Sequence, residues 1–116
     1  MRRIFKYELE TTDKQIIKVP FICGSNKFKD QVLKIEVQNG IPCMWCLVDQ
    51  AEEVIRTIYI VGTGNPMPKE FTKDNYVGTY QLYDGSFVGH VFVEWPNQIN
   101  DLFSFRKGMY GKSIWI

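Results

Sequence analysis

Apolar and polar positions alternate along most of this chain, and that period of two, rather than the 3.6 of a helix, decides its fold class. In residues 3–9, RIFKYEL, Phe5, Tyr7 and Leu9 share one face while Lys6 and Glu8 share the other. This is the pattern of a strand with one buried side. Thr11, Thr12 and Asp13 supply turn residues, and QIIKVP runs on as a second strand to Pro20, so the two read as a first hairpin. Residues 21–31 show no clear period. VLKIEVQ and IPCMWCLVD then flank Asn39-Gly40, the pair that best tolerates the positive φ angles of a two-residue type I′ turn. Pairing Gln38 with Ile41 sets Leu33 against Cys46, Ile35 against Met44 and Val37 against Pro42 on a core-facing side. The same register sets Lys34 against Trp45 and Glu36 against Cys43 on a partly wet side.

EVIRTIYIV, residues 53–61, is rich in β-branched residues and reads as a fifth strand, broken by the Gly-Thr-Gly-Asn-Pro of residues 62–66. A loop follows in which Pro66 and Pro68 delay any helix, and KEFTKDN forms a single helical turn at most. YVGTYQLY and SFVGHVFVEW around Asp84-Gly85 make the third hairpin, with Leu82 opposite Phe87, Tyr80 opposite Gly89, Thr79 opposite His90 and Gly78 opposite Val91. Gly89 leaves room for the Tyr80 ring to lie over neighbouring backbone. The expected fold is mainly β: antiparallel sheets built from three consecutive hairpins, as a sandwich or an open barrel-like array, with little or no helix. Residues 1–95 form the hairpin domain. Residues 96–116 are a C-terminal extension too apolar for a free tail, with Leu102, Phe103, Phe105, Tyr110, Trp115 and Ile116, and are expected to pack on the domain or on a neighbouring subunit.

Composition narrows the function classes. The 116 residues are enough for one domain, and 45% hydrophobic against 23% charged residues gives ample material for a core. A formal net charge of +1 provides no broad field for an extended nucleic acid or an anionic bilayer. The N-terminus alternates instead of running apolar, and no window approaches the roughly 18 apolar residues of a membrane span. The expected location is cytoplasmic, in the cell where the chain is made. Cys23, Cys43 and Cys46 are an odd number of cysteines, which suits free thiols in a reducing compartment.

No residue set specifies a reaction. Cys43 and Cys46, three apart on a strand, point to opposite faces and cannot both reach one zinc ion, so they read as small buried hydrophobes. His90, the single histidine, sits mid-strand and reads as a hydrogen-bonded sheet residue, although its face also carries Gln81 and remains open to a ligand. The carboxylates are scattered over turns and wet strand faces, which argues against paired-carboxylate catalysis. Thr63, Gly64, Asn65 and Pro66 lie in a loop that lacks the lysine and the following helix of a phosphate loop. Its amides and the Thr63 hydroxyl are still candidates to cradle a small anion. Trp45, with Tyr80, Tyr83 and Tyr59 elsewhere, is a candidate stacking surface for a base or sugar, although core or subunit packing explains any one of these aromatics alone. The expectation is a protein that is not an enzyme and needs no metal or cofactor.

VQNGIPCMWCLVD, GTGNP, YVGTYQL and GHVFVEW, in this order, resemble a family of short proteins carried by phages and prophages. The resemblance rests on Gln38, Gly40, Pro42, Trp45 and Asp49, on residues 62–66 and 78–81, and on residues 90–92, and it covers about residues 3–94. Asn65 stands where the family usually has histidine, residues 21–31 are longer than usual, and residues 96–116 are an extension beyond it. The family is similar to anti-CBASS sponges. That resemblance implies a homo-oligomeric anti-defence protein that sequesters a small cyclic nucleotide without catalysis. The ligand-binding set would be Trp45, Thr63, Gly64, Asn65, Pro66, Tyr80, Gln81 and His90. The alternative is a protein-binding inhibitor of a host defence enzyme or effector, using a strand edge or the apolar tail.

Overall fold

The computed structural model describes residues 1–20, 28–49, 53–69 and 71–94. Seven strands run β1 (Arg3–Glu8), β2 (Lys14–Pro20), β3 (Val32–Gln38), β4 (Ile41–Val48), β5 (Glu53–Gly62), β6 (Tyr76–Leu82) and β7 (Phe87–Val93). They form two antiparallel sheets, one ordered β1-β4-β3 and the other β2-β5-β7-β6. The only helical elements among the described residues are short 3-10 turns, of which Phe28–Gln31 and Lys73–Asn75 lie in connections. The extension at residues 96–116 and Cys23 lie outside the described residues.

The alternation in the sequence becomes one buried face per sheet. Met44, Cys46 and Val48 from the smaller sheet meet Val19, Ile58, Ile60, Tyr80, Val91 and Val93 from the larger one in a single core. Packing is closest where β3 crosses β6. A Cβ placed on Gly78 would lie 2.6 Å from Ile35 Cγ1 and 2.8 Å from its Cβ. At Gly89 the Tyr80 ring lies over the backbone as the register requires, 2.9 Å from where a Cβ would sit.

Two hairpins keep their expected registers. Asn39 and Gly40 take φ of 54° and 80°, and Gln38 pairs with Ile41, Val37 with Pro42, Ile35 with Met44. Leu33 is the exception: a bulge between Val32 and Lys34 brings Val32 opposite Cys46 and leaves Leu33 exposed. In the third hairpin every expected pair forms, but the turn is wider than two residues. Tyr83, Asp84 and Gly85 all have positive φ, and Ser86 N donates to Tyr83 O.

The first hairpin does not form. β1 pairs with β4 and β2 with β5, so the chain changes sheets between them. Leu9 N donates to Pro42 O at one end of the crossing, and Ile60 N donates to Asp13 O at the other. Between these anchors Glu10 exchanges two hydrogen bonds with the Gln15 side chain, and the Thr11 and Tyr80 hydroxyls lie 2.9 Å apart. A turn-rich pause between two alternating segments has the same local signature whether the strands pair or arch across two layers. Tertiary burial decides between them.

One ion pair is sealed beside the core. Arg56 on β5 and Glu94 just after β7 are 4% and 1% exposed, with Arg56 Nη1 3.8 Å from Glu94 Oε1. The guanidinium lies over the Phe28 ring, 5.1 Å from its centroid. Among the described residues neither Glu94 oxygen, nor Arg56 Nε, has a hydrogen-bond partner. Burial therefore dominates, and it raises the Glu94 carboxyl to about 7 against the opposing pull of Arg56.

Two stability predictions follow from this packing. Gly78→Ala forces Ile35 or the strand to move, and urea unfolding should show a loss of about 1–3 kcal/mol. The Glu94 carboxyl favours its neutral form in the fold, so its contribution is complete at low pH and declines as pH rises toward and through about 7. Thermal melts between pH 5 and 8 should show wild type losing stability across this range, whereas Glu94→Gln should not show that component. Parallel pH curves for the two proteins would contradict this reading of the buried pair.

Candidate functional site

Alternation along β5, β6 and β7 places a second set of side chains on the outer face of the larger sheet. Register aligns Lys14, Tyr59, Phe92 and Tyr76 in one row across four strands, and Val61, His90 and Thr79 in the next. Tyr76 meets Phe92 edge-on with centroids 5.7 Å apart, and Phe71 from the following loop closes on Tyr59 at 4.4 Å. Phe71, Phe92 and Val61 thereby form a small second core. The loop that carries Phe71 is tied back by Asn75, whose side chain donates to Val93 O and accepts from Thr72 N.

Next to this aromatic row lies a cavity of about 430 Å³, bounded by Asp13, Tyr59, Asn65, Pro66, Met67 and Pro68. The Lys14 ammonium stands 5.9 Å from the Tyr59 ring centroid. The walls thus offer an aromatic ring, a carboxylate, a side-chain amide and apolar prolines, with a cation near the ring. Such a mixed, mainly preformed concavity is what a small polar ligand needs.

Beside it runs a chain of polar contacts. Thr63 Oγ1 is 2.7 Å from His90 Nε2, Thr79 Oγ1 is 3.1 Å from His90 Nδ1, and the Tyr76 hydroxyl is 2.5 Å from Thr79 Oγ1. Both imidazole nitrogens are engaged by hydroxyls, which can donate or accept, so the ring is held in place in either tautomer. The Thr63–His90 contact has the form of a hydroxyl beside a base. Among the described residues no carboxylate orients the imidazole, and the amides on either side of Gly64 are already used within the fold. Thr63 N donates to Val88 O and Asn65 N to Gly62 O.

These bonds also revise the expected anion cradle. With the Thr63 amide on Val88 O of β7, the Asn65 amide committed inside the turn and the Thr63 hydroxyl on His90, the amide of Gly64, at φ 91°, is the turn's one NH without such a partner among the described residues. Of the eight expected binding residues, Thr63, Gly64, Asn65, Pro66, Gln81 and His90 belong to this side of the larger sheet. The other two do not. Tyr80 points into the core, 3% exposed and beside the Thr11 hydroxyl, so it offers no stacking surface. Trp45 lies on the outer face of the smaller sheet, between Lys6 and Lys34.

Lys14, Asp13 and Met67 complete the site beside Tyr59, and of these four only Tyr59 was among the expected stacking aromatics. In EVIRTIYIV every residue around Tyr59 is compatible with burial, which hides the outward parity of Thr57, Tyr59 and Val61. Lys14 and Asp13 enter only because β2 pairs with β5.

Cys43 and Cys46 are free, buried and on opposite faces of β4. Burial pushes the Cys46 thiol up to about 12, which keeps it from acting as a thiolate near neutrality. Among the described residues no cluster of three potential metal ligands occurs, and no helix is long and apolar enough to cross a membrane.

A family model described as a domain of unknown function, DUF7352, matches residues 1–101. No curated protein and no solved structure matches the chain.

Proposed function

This chain belongs to the DUF7352 family, a domain of unknown function, and on that premise we propose that it binds and holds a small cyclic nucleotide without transforming it. The observation that carries this reading is the 430 Å³ cavity in which Tyr59, Asn65 and Asp13 converge, with the Lys14 ammonium over the Tyr59 ring. Tyr59 supplies a stacking face for a base, a contact worth about 1–3 kcal/mol. Lys14 neutralises a phosphate, Asp13 accepts from sugar hydroxyls or exocyclic amines, and the Asn65 amide both donates and accepts. The cavity volume suits one nucleotide unit better than a whole extended chain, in keeping with a net charge of +1.

Sequestration as a phage anti-defence device, in the cytoplasm of the infected cell, is the biological role this binding would serve. Its support is the resemblance of the hairpin and loop motifs to a family of short phage and prophage proteins, a family itself similar to anti-CBASS sponges. A holding protein needs affinity and slow release, and it has no use for an activated nucleophile. His90, pinned by Thr63 and Thr79, fits a positioning role at the rim of such a site.

Isothermal titration with a panel of cyclic di- and trinucleotides tests the proposal. At least one should bind and be recovered unchanged, and Lys14→Ala and Asn65→Ala should each weaken it by about tenfold, a loss near 1.4 kcal/mol. Heat from no member of the panel would sink the reading and favour a protein-binding inhibitor. Recovery of hydrolysed ligand would make the protein an enzyme.

A further inference from the structure

The outer face of the smaller sheet, opposite the cavity side, carries its charges in rows. Register sets Lys6, Trp45 and Lys34 side by side across β1, β4 and β3, and the adjacent row, two residues along each strand, is Glu8, Cys43 and Glu36. Outside the lysine row Ile4 pairs with Leu47, and Ile4 and the bulged Leu33 are 61% and 52% exposed. Outside the glutamate row Ile41, 39% exposed, pairs with Gln38. Along the strands the face thus reads apolar, positive, negative, apolar.

We propose that this face is the contact between two copies of this chain, packed sheet on sheet about a two-fold axis that runs across the strands between the lysine and glutamate rows. That operator lays Lys6 over the partner's Glu8 and Lys34 over the partner's Glu36, and sets Trp45 against the partner's central strand at the level of its buried Cys43. The apolar row with Leu47 then meets the partner's Ile41. A two-fold contact must be self-complementary, and this arrangement of rows satisfies the requirement. An axis along the strands would instead set Lys6 against the partner's Lys34 and Glu8 against the partner's Glu36, stacking like charges.

Within one chain Lys34 Nζ reaches Glu36 Oε1 at 2.5 Å, Lys6 Nζ donates to Gln38 Oε1 at 2.7 Å, and among the described residues Glu8 has no cation within ion-pair distance. The second copy supplies one for Glu8. A polyanion is disfavoured as occupant because the glutamate row would repel it, and a uniformly acidic or basic partner meets one row of its own sign. Two copies joined here leave both cavities facing outward, each able to bind its ligand alone.

Sedimentation velocity over a concentration series tests the contact. Wild type should form a dimer. Lys6→Glu with Lys34→Glu places acidic rows face to face and should raise the dimer dissociation constant at least about a hundredfold. Adding Glu8→Lys and Glu36→Lys to that variant swaps both rows and should restore dimerisation. Circular dichroism confirms that each variant is folded. A wild-type monomer throughout the series, a persistent dimer after the first reversal, or no recovery in the folded four-site variant would overturn the proposal. The altered residues lie away from the cavity, so nucleotide titration of the monomeric variant reports on ligand binding separately.

Discussion

The arch between β1 and β2 is the constraint on which the rest of this molecule depends. By carrying the chain from one sheet to the other between Leu9 and Asp13, it gives each layer an edge strand and lets two apolar faces bury one another. Neither sheet alone could hide its inner face, since three or four short strands need a partner layer to exclude water. The arch is held at both ends by backbone hydrogen bonds and near its middle by the contact between Thr11 and Tyr80. A tyrosine hydroxyl at the edge of the core thus ties the crossing to the strand that packs closest on the opposite sheet.

The same arch shapes the candidate site. Pairing β2 with β5 brings Lys14 beside Tyr59 and Asp13 into the wall of the cavity. A simple β1–β2 hairpin would have left β5 without this neighbour. The other wall comes from the loop after β5, which folds back because Phe71 finds an apolar seat on Tyr59 and Val61. The β2–β5 pairing and the apolar seat of Phe71 together therefore position this group of polar side chains. The two outer faces diverge as a result: one is concave and aromatic, the other flat and ruled with charge.

Much of the fold was legible in the sequence. Asn39-Gly40 and Asp84-Gly85 marked two hairpins, and alternation fixed their inward faces, including Tyr80 over Gly89. Local pattern failed where the outcome depended on distant partners. Leu33 left the register because a bulge is invisible to alternation, and the first two strands parted because turn residues do not reveal which layer comes next. The site was partly legible: residues 63–66 and His90 were named, and they do lie on one side of the larger sheet. Tyr80 misled because an aromatic residue on a β-strand looks the same whether it faces core or water. Tyr59 was named among the stacking aromatics, but local pattern did not show which face it takes, because most residues on both faces of β5 are compatible with burial.

Amide chemical-shift mapping of the labelled protein with a cyclic dinucleotide tests the central claim most directly, namely that the outer face of β2-β5-β7-β6 is the ligand-binding surface. The account predicts saturable shifts concentrated at Asp13, Lys14, residues 59–61 and residues 63–67, with the strands of the smaller sheet little changed. Shifts confined to β1, β3 and β4 around Trp45, or a spectrum untouched by every cyclic nucleotide offered, would contradict it.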